Sequence, residues 1–379
     1  MTGSKWLYLF TSNRSPLYAQ DVLNVLAAPA GTRYMFRYDA VYVEDPKGWE
    51  NIAAGTPVVV IFSLQQQAQY SDPAFIPVRM GEVIKAYAFG SRLFVEFRLT
   101  NIVSLAEVTE GSRDSAYAKP VRDFTNYLKE RVSTPYGSSA ALGAPLPTPV
   151  VPGSPWDIKS DQEVLFERAG AYLMRTETFS RARFIRVLSI AEAGATDVLT
   201  PTADGVFELH AGHTYELSLL HAQRVAPDKP LPYRIEVDGT TLRTIGRAGF
   251  DIASRYDRIV VSISASQPTS GLEDRQTVLT IEPGAGLYGA RVEIPIRVLA
   301  SRTRTAVTAG AQTVGLLMVA LASILTSVSS PVRIAAAAVG AVVAATLQAL
   351  GTAPLRALSL SGGKAGTLSA QAPLGHHGS

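Results

Sequence analysis

Between Ala182 and Val298 the chain is written as short alternating apolar and polar runs separated by turn chemistry, and this series restricts the fold more than any other feature. The runs are Ala182–Ile190, Gly205–Leu209, Thr214–His221, Tyr233–Val237, Thr240–Ile245, Arg258–Ala265, Gln276–Ile281 and Ala290–Val298. A period of two puts successive side chains on opposite faces of a strand, so each run has one face to bury. The breaks at Asp204-Gly205, Ala211-Gly212, Asp238-Gly239 and Pro283-Gly284 carry residues that adopt turn dihedrals at little cost. Strands at this spacing, with no helical run between them, predict an all-β sandwich over residues 160–300. Asp238-Gly239 is the clearest hairpin signal, because a two-residue loop needs positive φ.

Residues 1–132 read as an α+β module. Trp6–Phe10 predicts a strand, and Ser15-Pro16 starts a helix with a serine N-cap and a proline at the first helical position. Leu17, Val22, Val25 and Leu26 supply that helix with a buried face. Strands are expected at Tyr34–Val43, Thr56–Leu64, Phe75–Ala86 and Arg92–Ser104, and a second helix from about Pro120 to Val132, with Val121, Phe124 and Leu128 inward. The result is a small, curved, β-barrel-like sheet with helices. Residues 133–159 open on an uncharged run of Pro, Gly, Ser and Ala and read as a linker.

Charge is sparse, at 18% of residues, and mean hydropathy is positive at +0.13. Much of that deficit falls in one segment, since between Arg304 and Arg356 the only ionisable side chain is Arg333. Ala311–Ser329 and Ile334–Leu350 are each long enough to cross a bilayer as a helix, and Ser329-Ser330-Pro331 supplies a turn. Residues 305–352 are therefore expected to form a C-terminal α-helical transmembrane hairpin, followed by a disordered tail at 353–379. Arg297, Arg302 and Arg304 before the hairpin, with Arg356 and Lys364 after it, orient both ends toward the cytoplasm at a cell membrane. A stripe of small or weakly polar residues, Gln312, Gly315, Ser323 and Thr326 on the first helix and Gly340, Ala344 and Gln348 on the second, with Arg333 between, suits helix packing or oligomerisation. A buried helical hairpin in a soluble oligomer would carry the same composition. The N-terminus has too short an apolar run, Trp6–Phe10, for a signal-peptide core.

Several chemistries are excluded or unsupported. With no cysteine there is no disulfide, thiolate metal site or cysteine nucleophile. A net charge of +3 without a basic block gives no footprint for nucleic acid. No Gly-x-Ser-x-Gly, His-Glu-x-x-His or P-loop pattern occurs, so an enzyme is not expected. Gly284-x-Gly286-x-x-Gly289 matches the dinucleotide pattern in letters, but the adjoining run from Ala290 reads as a strand and not a helix, so the glycines are assigned to a turn. His210 and His213 are spaced as metal ligands across Ala211-Gly212 without a third ligand, so no metal or cofactor is expected. Arg175, Arg181, Arg183 and Arg186 cluster around one strand, as a solvated face or as a seat for an anionic ligand or headgroup. The candidate ligand site is Tyr34, Phe36, Arg37 and Tyr38 with Trp49 and Arg79, where aromatic faces and two guanidiniums could cradle a base or a nucleotide phosphate.

Three resemblances extend this reading. Gly55-Thr-Pro-Val-Val-Val-Ile-Phe followed by Phe75-Ile-Pro-Val-Arg-Met-Gly-Glu-Val-Ile is similar to the PUA-like and EVE-like small barrels over about residues 31–105; the resemblance implies binding of nucleic acids or modified bases. Gly205-Val-Phe-Glu-Leu-His-Ala-Gly-His-Thr-Tyr-Glu-Leu-Ser-Leu resembles the strand-turn-strand phrasing of immunoglobulin-like sandwiches over about residues 170–300, which implies binding or spacing. A recognition module ahead of two membrane segments resembles the membrane-disrupting effectors of bacterial conflict systems. The expectation is thus a membrane-associated, non-enzymatic sensor or effector. Its partners would be a lipid bilayer, further copies of itself, and a protein or nucleotide-like ligand. A passive membrane-anchored scaffold, or a membrane-tethered enzyme acting on nucleotides or nucleic acids, is the alternative.

Overall fold

A computed structural model describes residues 5–64, 73–105, 119–131, 140–143, 156–157, 162–266 and 274–300. The first part runs β1 (Trp6–Ser12), α1 (Pro16–Ala27), β2 (Arg33–Asp39), β3 (Pro57–Leu64), β4 (Ala74–Phe89), β5 (Arg92–Ile102), β6 (Ser104–Leu105), α2 (Lys119–Arg131), β7 (Ala140–Gly143) and β8 (Trp156–Asp157). The second runs α3 (Gln162–Met174), β9 (Phe184–Glu192), β10 (Phe207–His210), β11 (Thr214–Ala222), β12 (Leu231–Glu236), β13 (Leu242–Thr244), β14 (Gly249–Ile252), β15 (Tyr256–Ala265), β16 (Arg275–Pro283) and β17 (Val292–Leu299).

The first part builds a six-stranded sheet in the order β2-β5-β4-β3-β1-β7. β1 and β3 are parallel, which requires a crossover, and α1 lies in it. Ser15 caps α1, its hydroxyl accepting the Leu17 N–H at 3.3 Å, and Pro16 occupies the first turn. The helix stops at Ala28, which is extended ahead of Pro29, as proline demands of its predecessor. Val22, Val25 and Leu26 are buried as expected, but Leu17 is 67% exposed. Five residues before Val22, it lies about 140° around the helix from it. The sheet curls until the segment after β2 meets β7 through an isolated Val43–Ala140 bridge, although β2 and β7 do not pair with each other. β7, inside the expected linker, adds an edge strand antiparallel to β1.

The second part is two sheets, β10-β17-β16-β12-β14 and β13-β15-β11-β9, consistent with the expected sandwich. Alternation fills its interior: Tyr215, Leu217 and Leu219 of β11, Val261 and Ile263 of β15, and Val292, Ile294, Ile296 and Val298 of β17 are buried. Asp238-Gly239 is not the turn of a hairpin. β12 pairs with β14 and β16, whereas β13 pairs with β15 in the other sheet, so this turn carries the chain across the sandwich. The Asp238 carboxylate stabilises it by accepting the amides of Thr240, Thr241 and Leu242 at 3.2, 2.7 and 2.9 Å. A side-chain turn of this kind and a two-residue hairpin share the Asp-Gly signal, and only non-local pairing separates them.

The fold class expected from sequence requires correction. The chain is mostly β, with curled sheets and three α-helices among the described residues. No helix among those residues is long and apolar enough to cross a membrane, so a C-terminal transmembrane hairpin is not supported. Residues 305–352, with Gln312, Gly315, Ser323, Thr326, Arg333, Gly340, Ala344 and Gln348, lie outside the described residues, as does 353–379.

Candidate functional site

Buried apolar side chains of both parts form one continuous cluster, and its seam is where unusual polar groups collect. Phe62 of β3 meets Phe179 with ring centroids 5.0 Å apart, and Phe179 lies parallel to Tyr288. Gln20 of α1 donates to the Gly289 carbonyl at 2.8 Å, and Asn24 accepts the Arg291 amide at 2.9 Å. Gly31, at φ 87°, lets the chain pass so close to the second part that a Cβ there would lie 2.1 Å from Pro201 Cγ.

Arg79 of β4 points into this seam. It stands opposite Val60, with a bulge in the pairing between Val60 and Ile61, and Val60 shares a strand face with Phe62, two residues on. That face carries the Phe62–Phe179 contact. Arg79 is wholly buried, 0% exposed, and none of its three guanidinium nitrogens has a hydrogen-bond partner among the described residues. Burial, and then the nearby Arg186 charge, push its pKa well below the usual arginine range.

Arg186 of β9 reaches the seam from the other side. It stands opposite Leu220, which stands opposite Arg258, so the three share the face of the four-stranded sheet on which α3 packs. Arg258 pairs with Glu163 at 2.6 Å, and Arg186 Nη1 donates to the Gln162 carbonyl at 2.8 Å. Gln162, the first residue of α3, also accepts the Ile102 amide with its Oε1 at 2.7 Å, and Ile102 is the β5 residue opposite Arg79. The seam thus brings together two buried guanidiniums and the positive end of a thirteen-residue helix.

Of the six residues expected to form a ligand cradle, Tyr34, Phe36 and Tyr38 line one face of β2 as an edge-on ladder with Phe97. Tyr38 continues it to Trp49, which is 2% exposed and donates its indole N–H to the Phe94 carbonyl at 2.8 Å. Trp49 also lines a cavity of about 170 Å³ between Lys5, Glu44, Asp45 and β7. Arg37 is exposed, on the opposite face of β2 from Phe36 and Tyr38. Arg79 lies beyond the end of β2, because Arg33 already pairs with Arg98, four residues short of Ile102. The six therefore do not converge. Arg79 is joined instead by Arg186, which the sequence placed in a different cluster. Each is a lone arginine inside an apolar strand run, Phe75-Ile-Pro-Val-Arg79 and Phe184-Ile-Arg186-Val-Leu, and that shared oddity is the signal that could have linked them.

Two further buried polar clusters flank the seam. His221 of β11 is 0% exposed, with no hydrogen-bond partner on either ring nitrogen among the described residues; Tyr233 of the facing sheet lies 6.4 Å away, its hydroxyl likewise unpartnered. Burial lowers the His221 pKa to about 4; Asp257 opposes the shift and Arg183 adds to it. On α1, burial raises the Asp21 pKa to about 7, against a hydrogen bond from Tyr34. His210 and His213 have ring centroids 6.0 Å apart, and His213 binds Glu192 at 2.7 Å. No cluster of three or more metal-ligating side chains occurs among the described residues. Gly284 to Gly289 form a turn ahead of β17, with Gly286 at φ 77°. The sequence matches no protein-family model and no curated protein.

Proposed function

We propose that this chain is a non-enzymatic recognition protein, a sensor whose two parts close on an anionic ligand or on an anionic group of a partner. The observation that supports this is the Arg79 guanidinium, buried and without a hydrogen-bond partner among the described residues. Burying an uncompensated charge costs several kcal/mol, and an apolar side chain of similar volume would pack there without that cost. An arginine retained under such a penalty is explained when an anion offsets it. Guanidinium is also the side chain whose planar fork matches carboxylate and phosphate oxygens. The reading requires no membrane segment and no catalytic group.

Thermal unfolding of the full chain against acetate, inorganic phosphate and nucleotides at constant ionic strength tests it. A ligand that binds only the folded state raises Tm in a saturable way. At least one of these anions should do so in the wild type and fail to do so in Arg79→Met. If every anion shifts both proteins equally, the reading is wrong.

A further inference from the structure

We propose that one end of the second part docks on a membrane surface rich in anionic headgroups, through three exposed arginines and an exposed valine. β9, β11 and β15 are neighbours in one sheet, and Phe184, Ala222 and Tyr256 stand opposite one another at its end. The segments beyond them therefore start within about 10 Å of one another, two strand spacings. They carry Arg181 ahead of β9, Arg224 after β11 and Arg255 ahead of β15, all exposed. In the sequence these arginines form no basic block, and strand pairing collects them. Residues 175–183, 223–230 and 253–257 together hold six basic and three acidic side chains, so this end carries an excess of positive charge.

The segments are tied down. Gln223, 5% exposed, donates its amide to the Arg255 carbonyl at 3.0 Å and its side-chain amide to the Ser254 carbonyl at 3.1 Å. Phe179, buried in the seam, pins the turn that leads to Arg181, and its carbonyl accepts the Ala182 amide at 3.0 Å. Val225, next to Arg224, is 72% exposed, and Tyr256 is 40% exposed with the Arg255 guanidinium 5.1 Å from its ring centroid. Cations beside an exposed apolar side chain and an amphipathic ring suit the boundary between headgroups and acyl chains. The guanidiniums meet headgroup phosphate and carboxylate, and Val225 enters the apolar layer. A nucleic-acid backbone would engage the same arginines and gain nothing from Val225.

The test is sedimentation of the full chain with vesicles of phosphatidylcholine, alone or with phosphatidylserine added, at low and at physiological salt. The anionic vesicles should bind several-fold more protein than the neutral ones, and binding should weaken as salt rises. Combining Arg181→Gln, Arg224→Gln and Arg255→Gln should weaken it about 10-fold or more, since each cation near such a surface contributes roughly fivefold. Val225→Ser should weaken it a few-fold, and Arg37→Gln, exposed on β2, should bind as wild type. Every altered side chain is exposed, so all variants should keep the wild-type Tm. No binding, equal binding to both kinds of vesicle, or an unchanged triple variant overturns the proposal. Binding that needs the arginines but ignores Val225 overturns the insertion. A single-stranded oligonucleotide that binds through these arginines where the vesicles do not overturns the lipid assignment.

Discussion

Gln162 Oε1 accepts the backbone amide of Ile102 at 2.7 Å, fastening the first residue of α3 to the last residue of β5. The contact spans the seam, and the amide it satisfies belongs to a residue with no exposed surface. Gln162→Leu should therefore cost about 1–3 kcal/mol, the penalty for orphaning a buried donor. Gln162→Glu keeps an acceptor and adds a negative charge near Arg186, and should retain or raise stability. Equilibrium urea unfolding of both variants checks the pair; equal losses would assign the residue to packing alone.

Arg79→Met should raise the stability of the anion-free chain by about 1–4 kcal/mol, since it removes an uncompensated buried charge. The gain should shrink or reverse in the presence of an anion that binds at Arg79, where only the wild type gains binding energy. Chemical unfolding in both buffers gives the comparison.

Phe179 anchors the apolar side of the seam, touching Phe62, Phe184 and Tyr288 with no exposed surface of its own. Phe179→Ala should cost about 3–5 kcal/mol, and the cavity it leaves should release α1 from β9 along with the aromatic cluster. Faster amide exchange at both elements, and not at the far β13 edge, is the expected pattern.

Asp21 and His221 give stability two opposed pH limbs. Unfolded Asp loses its proton near pH 3.9, but in the fold Asp21 keeps it to about pH 7, hydrogen-bonded to Tyr34 and within electrostatic range of Tyr38, with Asn24 and Glu293 acting on Tyr34 and Tyr18 on Tyr38. The folded state binds more protons across that window, so the contribution of Asp21 is full below pH 4 and falls as pH rises to 7. His221 behaves oppositely: unfolded His titrates near 6.5 and the buried ring near 4, so its contribution is full above pH 6.5 and is lost as pH falls toward 4. Asp21→Asn should be more stable than wild type at pH 8 and should retain only the acid-side loss. His221→Leu should retain only the decline toward neutral pH. Tm measured from pH 4 to 8 separates them.

Local chemistry makes much of the fold legible in the sequence. Ser15-Pro16 marks the start of α1, and alternation locates most sandwich strands within a few residues, because both signals depend on neighbours in sequence. The features that escape depend on distant pairing. Ala140–Gly143 carries no strand signature of its own and becomes one only because β1 offers it an edge. Asp238-Gly239 looks like a hairpin until its flanking strands choose different sheets. The expected cradle of Tyr34, Phe36 and Tyr38 is an aromatic ladder because alternating aromatics on a strand pack on their cross-strand neighbours, here Phe97. Arg79 and Arg186 each stand out in the sequence as an arginine within an apolar run, but their meeting at the seam does not, since 107 residues and a second sheet separate them.

The most direct test of the account is calorimetric titration of acetate, inorganic phosphate and nucleotides into three forms of the full chain: wild type, Arg79→Met and Arg37→Met. Wild type and Arg37→Met, whose altered residue is exposed on β2, should bind at least one of these anions with matching affinity, and Arg79→Met should bind it about 10-fold or more weakly. Identical isotherms for wild type and Arg79→Met with every one of these anions would contradict it.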